Sequence, residues 1–202
     1  MPPARGLVLV CALLWAAPAL AADIADDFRL YYRQVAGDAY KGPLDFLRDA
    51  KGDSLAAGDQ RQVTIDRANG YLQVSDSRGT DQVLTMAVYR RTDGSELMVV
   101  GSSDCADACT FAVELFTVAA DRLQPVPRDD VLPAVEPSRF IRPGRAGPKN
   151  APTINYVPAR VGTSLTLKPW YGYEVEVQMD DKIRAAIQDV TLTWDRTTGR
   201  FR

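Results

Sequence analysis

The chain contains no histidine, so the side chains available for chemistry are carboxylates, hydroxyls, thiols and basic groups. Without an imidazole, Ser-His-Asp and Cys-His nucleophiles, histidine zinc triads and histidine acid-base chemistry are excluded. Gly-x-Ser-x-Gly, Ser-x-x-Lys and a phosphate-binding Gly-x-x-x-x-Gly-Lys loop are also absent from the sequence. The sequence therefore predicts no catalytic residue, no cofactor and no metal site, and it favours a protein that is not an enzyme.

Carboxylates are the remaining groups that could catalyse a reaction, and one pair has suitable spacing. Glu174 and Glu176 alternate with valines in Tyr173-Glu-Val-Glu-Val-Gln. On a strand their Cα atoms would lie roughly 6.5 Å apart on one face, a separation that glycoside hydrolases use, with Trp170 and Tyr171 available to stack on sugars. A half-exposed strand gives the same alternation, with its glutamates in water, and we favour that interpretation. A carboxylate-based hydrolase acting on carbohydrate is the alternative.

Apart from Cys11, the cysteines of the chain are Cys105 and Cys109, which lie between two strand-like runs. In an oxidising compartment this spacing predicts a disulfide that closes a hairpin tip and contributes about 2 kcal/mol at most. A redox motif is disfavoured, because its cysteines have two intervening residues, whereas Cys105 and Cys109 have three. A metal site is also disfavoured, because two thiols supply only half of the ligands of a tetrahedral site. Asp104 and Asp107 flank this tip and are candidate partner-binding residues. As two carboxylates without a ligand loop, they do not predict a calcium site.

A second candidate surface is basic and rich in proline. The chain carries eight of its 13 prolines between Pro125 and Pro158 and shows no periodicity there. This composition predicts a linker or a long ordered crossover over residues 127–160. The alternative is a recognition strip for an acidic protein or an anionic polymer, and its candidate partner-binding residues are Arg142, Arg145 and Lys149.

The segment from Met1 to Ala21 has the pattern of a secretory signal peptide: Arg5, an apolar run, Pro18 and then Ala19-Leu-Ala. Cleavage after Ala21 would leave a mature chain that runs from Ala22 to Arg202, in the periplasm or outside the cell. The apolar run is shorter than the ~20 residues that a membrane span needs, and we expect no span in the mature chain. Cys11 lies within the run instead of at the cleavage point, which disfavours a lipid anchor.

Charge and composition narrow the partners. Loss of Arg5 would leave 23 of the 24 basic groups and all 26 acidic groups, a net charge of −3. This balance is too even for a nucleic-acid footprint, so we expect no nucleic-acid partner. Arginine supplies 19 of the 24 basic residues, and together with abundant alanine this composition indicates a bacterial origin.

Helical periodicity appears early in the mature chain. Five apolar or aromatic side chains share one helical face: Ile24, Phe28, Tyr31, Tyr32 and Val35. Gly37 would stop this helix. A second short helix is predicted at 43–50, where Pro43 occupies the first turn.

From Gln62 the period changes to two, as in strands. Turns are predicted at 67–70, at Thr92-Asp-Gly-Ser95, at the cystine tip and at Ala120-Asp121. The segments between these turns, as far as residue 126, therefore form an antiparallel meander.

The C-terminal part returns to strand character, and strands are predicted at 164–167, 173–179 and 190–195. A short capped helix is predicted from Asp180 to Ile187. Two segments here match the first module: Gly70-Tyr71 matches Gly172-Tyr173, and Tyr89–Gly94 matches Trp194–Gly199. Such collinear matches are what a duplicated meander would leave, although any two strand-turn-strand units share such residues.

The sequence thus predicts a mainly β protein with a minor α component: antiparallel β-meander modules, with duplication as one interpretation, and one or two N-terminal helices. The expected divisions are a signal peptide (1–21), a helix with a meander (22–126), a basic linker or crossover (127–160) and a C-terminal β module (161–202). The favoured function is that of an exported interaction or accessory protein. Its partner would be another envelope or secreted protein.

Overall fold

The computed structural model describes residues 23–36, 54–56, 61–77, 81–106, 108–119 and 121–202. The helices in these ranges are α1 (Ile24–Tyr31), α2 (Arg128–Val131), α3 (Tyr173–Gln178) and α4 (Asp181–Arg184). A π-helical turn lies at Tyr32–Ala36, and 3₁₀ turns lie at Arg67–Asn69 and Pro137–Phe140. The predicted signal peptide, Gly37 and the predicted helix at 43–50 lie outside the described residues. The fold is mainly β, as the sequence predicts.

The first sheet has seven strands in simple sequential order. They are β1 (Ser54–Ala56), β2 (Arg61–Asp66), β3 (Tyr71–Asp76), β4 (Asp81–Arg90), β5 (Glu96–Cys105), β6 (Cys109–Ala119) and β7 (Arg122–Pro125). Every neighbouring pair is antiparallel. The order from β2 to β7 confirms the predicted meander, whereas β1 precedes the predicted strands. Gly70 and Gly94 have φ angles of 61° and 86°, the left-handed conformation that these tight turns require.

The second sheet has four antiparallel strands in the order β11-β10-β9-β8. They are β8 (Thr153–Pro158), β9 (Ser164–Trp170), β10 (Val190–Asp195) and β11 (Arg200–Phe201). β9 and β10 confirm two of the predicted strands. β8 lies within the proline-rich stretch, where the sequence shows no periodicity.

The first sheet is the middle layer of three. Alternate residues of its central strands, among them Tyr89, Val99 and Leu115, pack against the second sheet. The residues between them, such as Met86 and Val100, pack against α1. Because β4 and β5 are buried on both faces, they read as nearly continuous apolar runs instead of alternating ones.

α1 begins at an aspartate cap, since Asp23 Oδ1 accepts a hydrogen bond from the Ala25 N–H at 3.0 Å. Its buried face confirms the first three members of the predicted stripe: Ile24, Phe28 and Tyr31. The stripe does not continue as predicted, because the next turn is π-helical and changes the angular spacing of side chains. Tyr32 is half-buried, and Val35 is 39% exposed.

The chain between the sheets packs against both of them. After β7 it forms α2 and then the 3₁₀ turn, and its side chains Val131, Leu132 and Phe140 are buried in the core between the sheets. That core contains side chains from the first sheet, from this crossover and from the second sheet. The two β modules therefore share one core.

The prediction of a strand over 173–179 is wrong, because Tyr173–Gln178 forms α3. Both sides of β9 are already paired, with β8 and β10, so a strand at 173–179 could not pair with the strand that precedes it. The helix is held locally instead. Arg184 Nη2 donates to the Glu176 carbonyl oxygen at 2.5 Å, which satisfies a group left unpaired at the helix end.

The two segments that suggested a duplication differ in their outcome. Gly70 and Gly172 both have positive φ angles, but Tyr71 opens a strand whereas Tyr173 opens a helix. In the second match, Tyr89–Gly94 and Trp194–Gly199 both contain hairpin turns, and these two turns pack against each other. The Thr92 N–H donates to the Arg196 carbonyl oxygen at 3.0 Å. The second module therefore does not repeat the β2–β3 hairpin.

Candidate functional site

The basic segment contains a rigid turn with an arginine at each end. In Arg142-Pro-Gly-Arg145, the Arg145 N–H donates to the Arg142 carbonyl oxygen at 3.1 Å, and Gly144 has a φ of 73°. Proline followed by a glycine with positive φ is the signature of a type II turn. The Cα atoms of the two arginines therefore lie within about 7 Å of each other.

Backbone hydrogen bonds fasten this turn to the segment that follows α4. The Arg142 N–H donates to the Ala186 carbonyl oxygen at 2.7 Å, and the Gln188 N–H donates to the Phe140 carbonyl oxygen at 2.9 Å. Between them Ile141 and Ile187 form an isolated antiparallel bridge. Because Phe140 is buried in the core, the base of the turn is fixed to the body of the protein.

α4 forms the opposite wall of a cleft. The helix is short and capped as predicted, since Asp180 Oδ1 accepts a hydrogen bond from the Lys182 N–H at 2.6 Å. The space between the turn and α4 is a cleft of about 590 Å³, which we name the basic cleft. Its lining comprises Arg142, Gly144, Arg145, Ala146, Lys182, Ile183 and Ala185.

The three cations of the basic cleft are not neutralised within the described part of the chain. There, Arg142, Arg145 and Lys182 take part in no ion pair, and all three side chains are exposed. Arg184, on the same helix, is different, since its Nη1 lies 3.8 Å from Glu176 Oε2. Three like charges around one cleft favour the approach of an anion.

The structure separates Lys149 from the two arginines. Lys149 lines a smaller cleft of about 240 Å³, together with Ile141, Pro148 and Tyr171. Lys182 takes its place beside the arginines, and sequence reasoning did not single it out. The turn could have been recognised from its Pro-Gly pair. The approach of residue 182 to residue 142 has no signal in local sequence.

The second candidate surface, the cystine tip, forms as predicted. Cys105 and Cys109 are joined by a disulfide and are paired across β5 and β6, with their Cα atoms 4.1 Å apart. Asp104 is exposed, and its Oδ2 accepts a hydrogen bond from Gln82 Nε2 at 2.9 Å. Asp107 lies outside the described residues.

A ring contact relates the cystine tip to the second sheet. Phe111 lies two residues beyond Cys109 on β6, and its ring centroid is 6.4 Å from that of Trp170 at the end of β9. Tyr171, the next residue, lines the Lys149 cleft. The cystine tip and the Lys149 cleft therefore lie towards the same end of the molecule.

The carboxylates that suggested a hydrolase do not share a face. Glu174 and Glu176 lie on α3, where two positions differ by about 200° around the helix axis. Glu174 is exposed, whereas Glu176 Oε1 accepts a hydrogen bond from the Tyr171 N–H at 3.4 Å. Neither carboxylate lines the basic cleft or the Lys149 cleft.

Two kinds of feature are absent from the described residues. No helix there has the length and the apolar character needed to cross a bilayer. The same part of the chain contains no group of three or more cysteine, aspartate or glutamate side chains that could hold a metal ion.

Comparison with known proteins identifies a similar fold and no more. No protein-family model and no curated protein matches the chain. A solved structure described as a domain of an uncharacterized protein from Porphyromonas gingivalis W83 is similar, with a TM-score of 0.60 and 11% sequence identity. The similarity covers 90% of this chain and 98% of that one. At this identity it shows that the two chains share a mainly β fold.

Proposed function

We propose that this protein is an exported, non-enzymatic binding protein that holds an anionic partner in the basic cleft. One observation carries the proposal: Arg142, Arg145 and Lys182 surround a single cleft and have no ion-pair partner among the described residues. Surface cations within reach of carboxylates often pair with them, as Arg184 does with Glu176. Three unpaired cations in one concave place are therefore well suited to an external anion.

The rigidity of the site supports this proposal. Guanidinium groups bind carboxylates and phosphates through paired, planar hydrogen bonds, and they lose less entropy when their backbone is already fixed. The type II turn and its hydrogen bonds to the α4 segment supply that fixed backbone. An anion would thus meet two arginines whose backbone is already fixed.

Export is supported by two features. The segment from Met1 to Ala21 has the signal-peptide pattern, and Cys105 and Cys109 form a disulfide, a bond that persists in oxidising compartments. We propose that the mature chain acts in the bacterial periplasm or outside the cell, and that its partner is another envelope or secreted protein.

The test compares charge-reversed variants of the mature chain, residues 22–202, as bait for proteins of its own organism's envelope and culture fluid. Arg142→Glu with Arg145→Glu, and separately Lys182→Glu, should reduce recovery of the bound partner at least about tenfold through loss of charge complementarity. Arg122→Glu on β7 is the matched control, because Arg122 is exposed and does not line the cleft.

The control variant should retain the partner as the unchanged chain does. Circular dichroism would verify that every variant is folded. Equal recovery by the double variant and the unchanged chain would exclude the basic cleft as the binding surface. Asp104→Lys, tested in the same way, would then show whether the cystine tip binds the partner instead.

A further inference from the structure

We infer that the basic cleft recognises an extended acidic peptide in which one apolar residue stands between two carboxylate residues. This inference rests on the proposed function and specifies the chemistry of the partner. It depends on the different character of the two cleft walls, on their spacing and on the side chains that line them.

The two walls of the cleft differ in chemistry. The turn wall carries both arginines, whereas the α4 wall presents Ile183 and Ala185, with Lys182 beside them. Ala146 adds a further apolar side chain. A ligand that offers both negative charge and an apolar group would therefore complement the lining of this cleft.

An extended peptide meets both requirements, because its successive side chains point to opposite sides. Residues i and i+2 lie on the same side with Cα atoms roughly 6.5 Å apart. The Cα atoms of Arg142 and Arg145, at the ends of the turn, lie at most about 7 Å apart, so two carboxylates at this spacing could each approach one arginine. An acidic-apolar-acidic sequence would direct both carboxylates to the arginines and the central side chain to Ile183.

Other anions match the lining less well. A compact inorganic anion would leave the apolar wall uncovered. A glycan is commonly held by aromatic rings, and the residues that line the basic cleft include no aromatic side chain. A polypeptide segment uses both walls, and we therefore assign the cleft to an acidic peptide of a partner protein.

The test measures fluorescence anisotropy of labelled peptides with the folded mature chain. The peptide Gly-Glu-Leu-Glu-Gly should bind about tenfold more tightly than Gly-Glu-Asn-Glu-Gly, since the leucine buries apolar surface against α4. Gly-Gln-Leu-Gln-Gly should bind more weakly still. Inorganic phosphate and an anionic oligosaccharide serve as competitors.

Variants of the protein locate the two contacts. Ile183→Ala should weaken binding of the leucine peptide several-fold and leave the asparagine peptide unchanged. Arg142→Glu with Arg145→Glu should abolish binding of both acidic peptides, whereas Arg122→Glu should have little effect. Equal affinity for the leucine and asparagine peptides would overturn the inference. The inference would also be overturned if phosphate or the oligosaccharide displaced the labelled peptide at lower concentrations than unlabelled leucine peptide does.

The results separate this inference from the proposed function. If the arginine variants lose the envelope partner but none of the peptides binds, the cleft is a binding surface and the acidic-peptide inference fails. If the peptides bind as expected but the arginine variants retain the envelope partner, the peptide chemistry is correct and the proposed function fails.

Discussion

At the scale of single residues, the buried carboxyl of Asp27 is the group least matched to its surroundings. Asp27, on α1, is 2% exposed, and its Oδ2 has no hydrogen-bond partner among the described residues. Burial, reinforced by the negative charges of Glu96, Asp26 and Asp23, raises the pKa of this carboxyl to about 6. Arg90 opposes the shift but is itself paired with Glu96.

This pKa shift predicts a pH-dependent cost to stability. The folded-state pKa of Asp27 lies above that of the unfolded chain, so ionisation of Asp27 lowers the free energy of unfolding. This loss is absent below about pH 4, where the carboxyl is protonated in both states, and complete above about pH 6, where it is ionised in both. Asp27→Asn should therefore stabilise the protein by about 1–3 kcal/mol at pH 7–8 and have little effect at pH 4. Urea denaturation of both proteins across this range measures the difference.

Asp26→Asn is the matched control for this prediction, because Asp26 is exposed on the same helix and pairs with Arg29. Its effect should be small, since exposed ion pairs contribute roughly 0–1 kcal/mol. If Asp27→Asn raised the free energy of unfolding equally at pH 4 and pH 8, the destabilisation could not be assigned to ionisation of Asp27.

At the scale of elements, the two sheets are in close backbone contact where β5 crosses β8. Gly101 on β5 is buried, and a Cβ atom built on it would overlap the Tyr156 carbonyl oxygen of β8. The obstacle is backbone, which cannot rotate away as a side chain can. Glycine at this position therefore sets the distance between the layers.

Gly101→Ala should consequently force the sheets apart and lower the free energy of unfolding by about 3 kcal/mol. Ser102→Ala, at the next position on the opposite face of β5, is the control and should cost less than about 1 kcal/mol. Urea denaturation measures both changes. Equal stability of Gly101→Ala and the unchanged protein would show that the two strands lie further apart than this structure has them.

At the scale of the whole molecule, the shared core joins the two sheets into one folding unit. Tyr89 of β4 packs against Trp194 of β10, with ring centroids 5.7 Å apart, and its hydroxyl donates to the Ser164 carbonyl oxygen at 2.8 Å. Trp194 Nε1 donates in turn to the Arg90 carbonyl oxygen at 3.0 Å. Separation of the sheets would expose these rings and leave their polar atoms unpaired.

We therefore expect both sheets to unfold in one transition. Trp170 and Trp194, the tryptophans within residues 22–202, lie in the second sheet, so their fluorescence reports on that sheet. Far-ultraviolet circular dichroism reports on both sheets. The two urea denaturation curves should coincide within error. A fluorescence transition clearly separated from the dichroism transition would mean that the sheets unfold independently.

The parts of the fold that the sequence determined by itself are those set by local interactions. Asp93-Gly94 specifies its hairpin because glycine adopts the positive φ that the tight turn needs. Cys105 and Cys109 could close only a small loop, and they do so across β5 and β6. Alternation and turn spacing were enough to predict the order of the meander strands, because each pairs with the strand next to it in sequence.

Tertiary structure decided the features that depend on distant partners. The segment 173–178 alternates like a strand, yet it is helical. β8 and β10 occupy both sides of β9, so this segment cannot pair with the strand that precedes it. Lys182 joins Arg142 and Arg145 in one cleft only because backbone hydrogen bonds fasten the turn to the α4 segment. Side-chain periodicity records which residues face inward. It carries no information about which distant elements meet, since that is settled by packing of the whole chain.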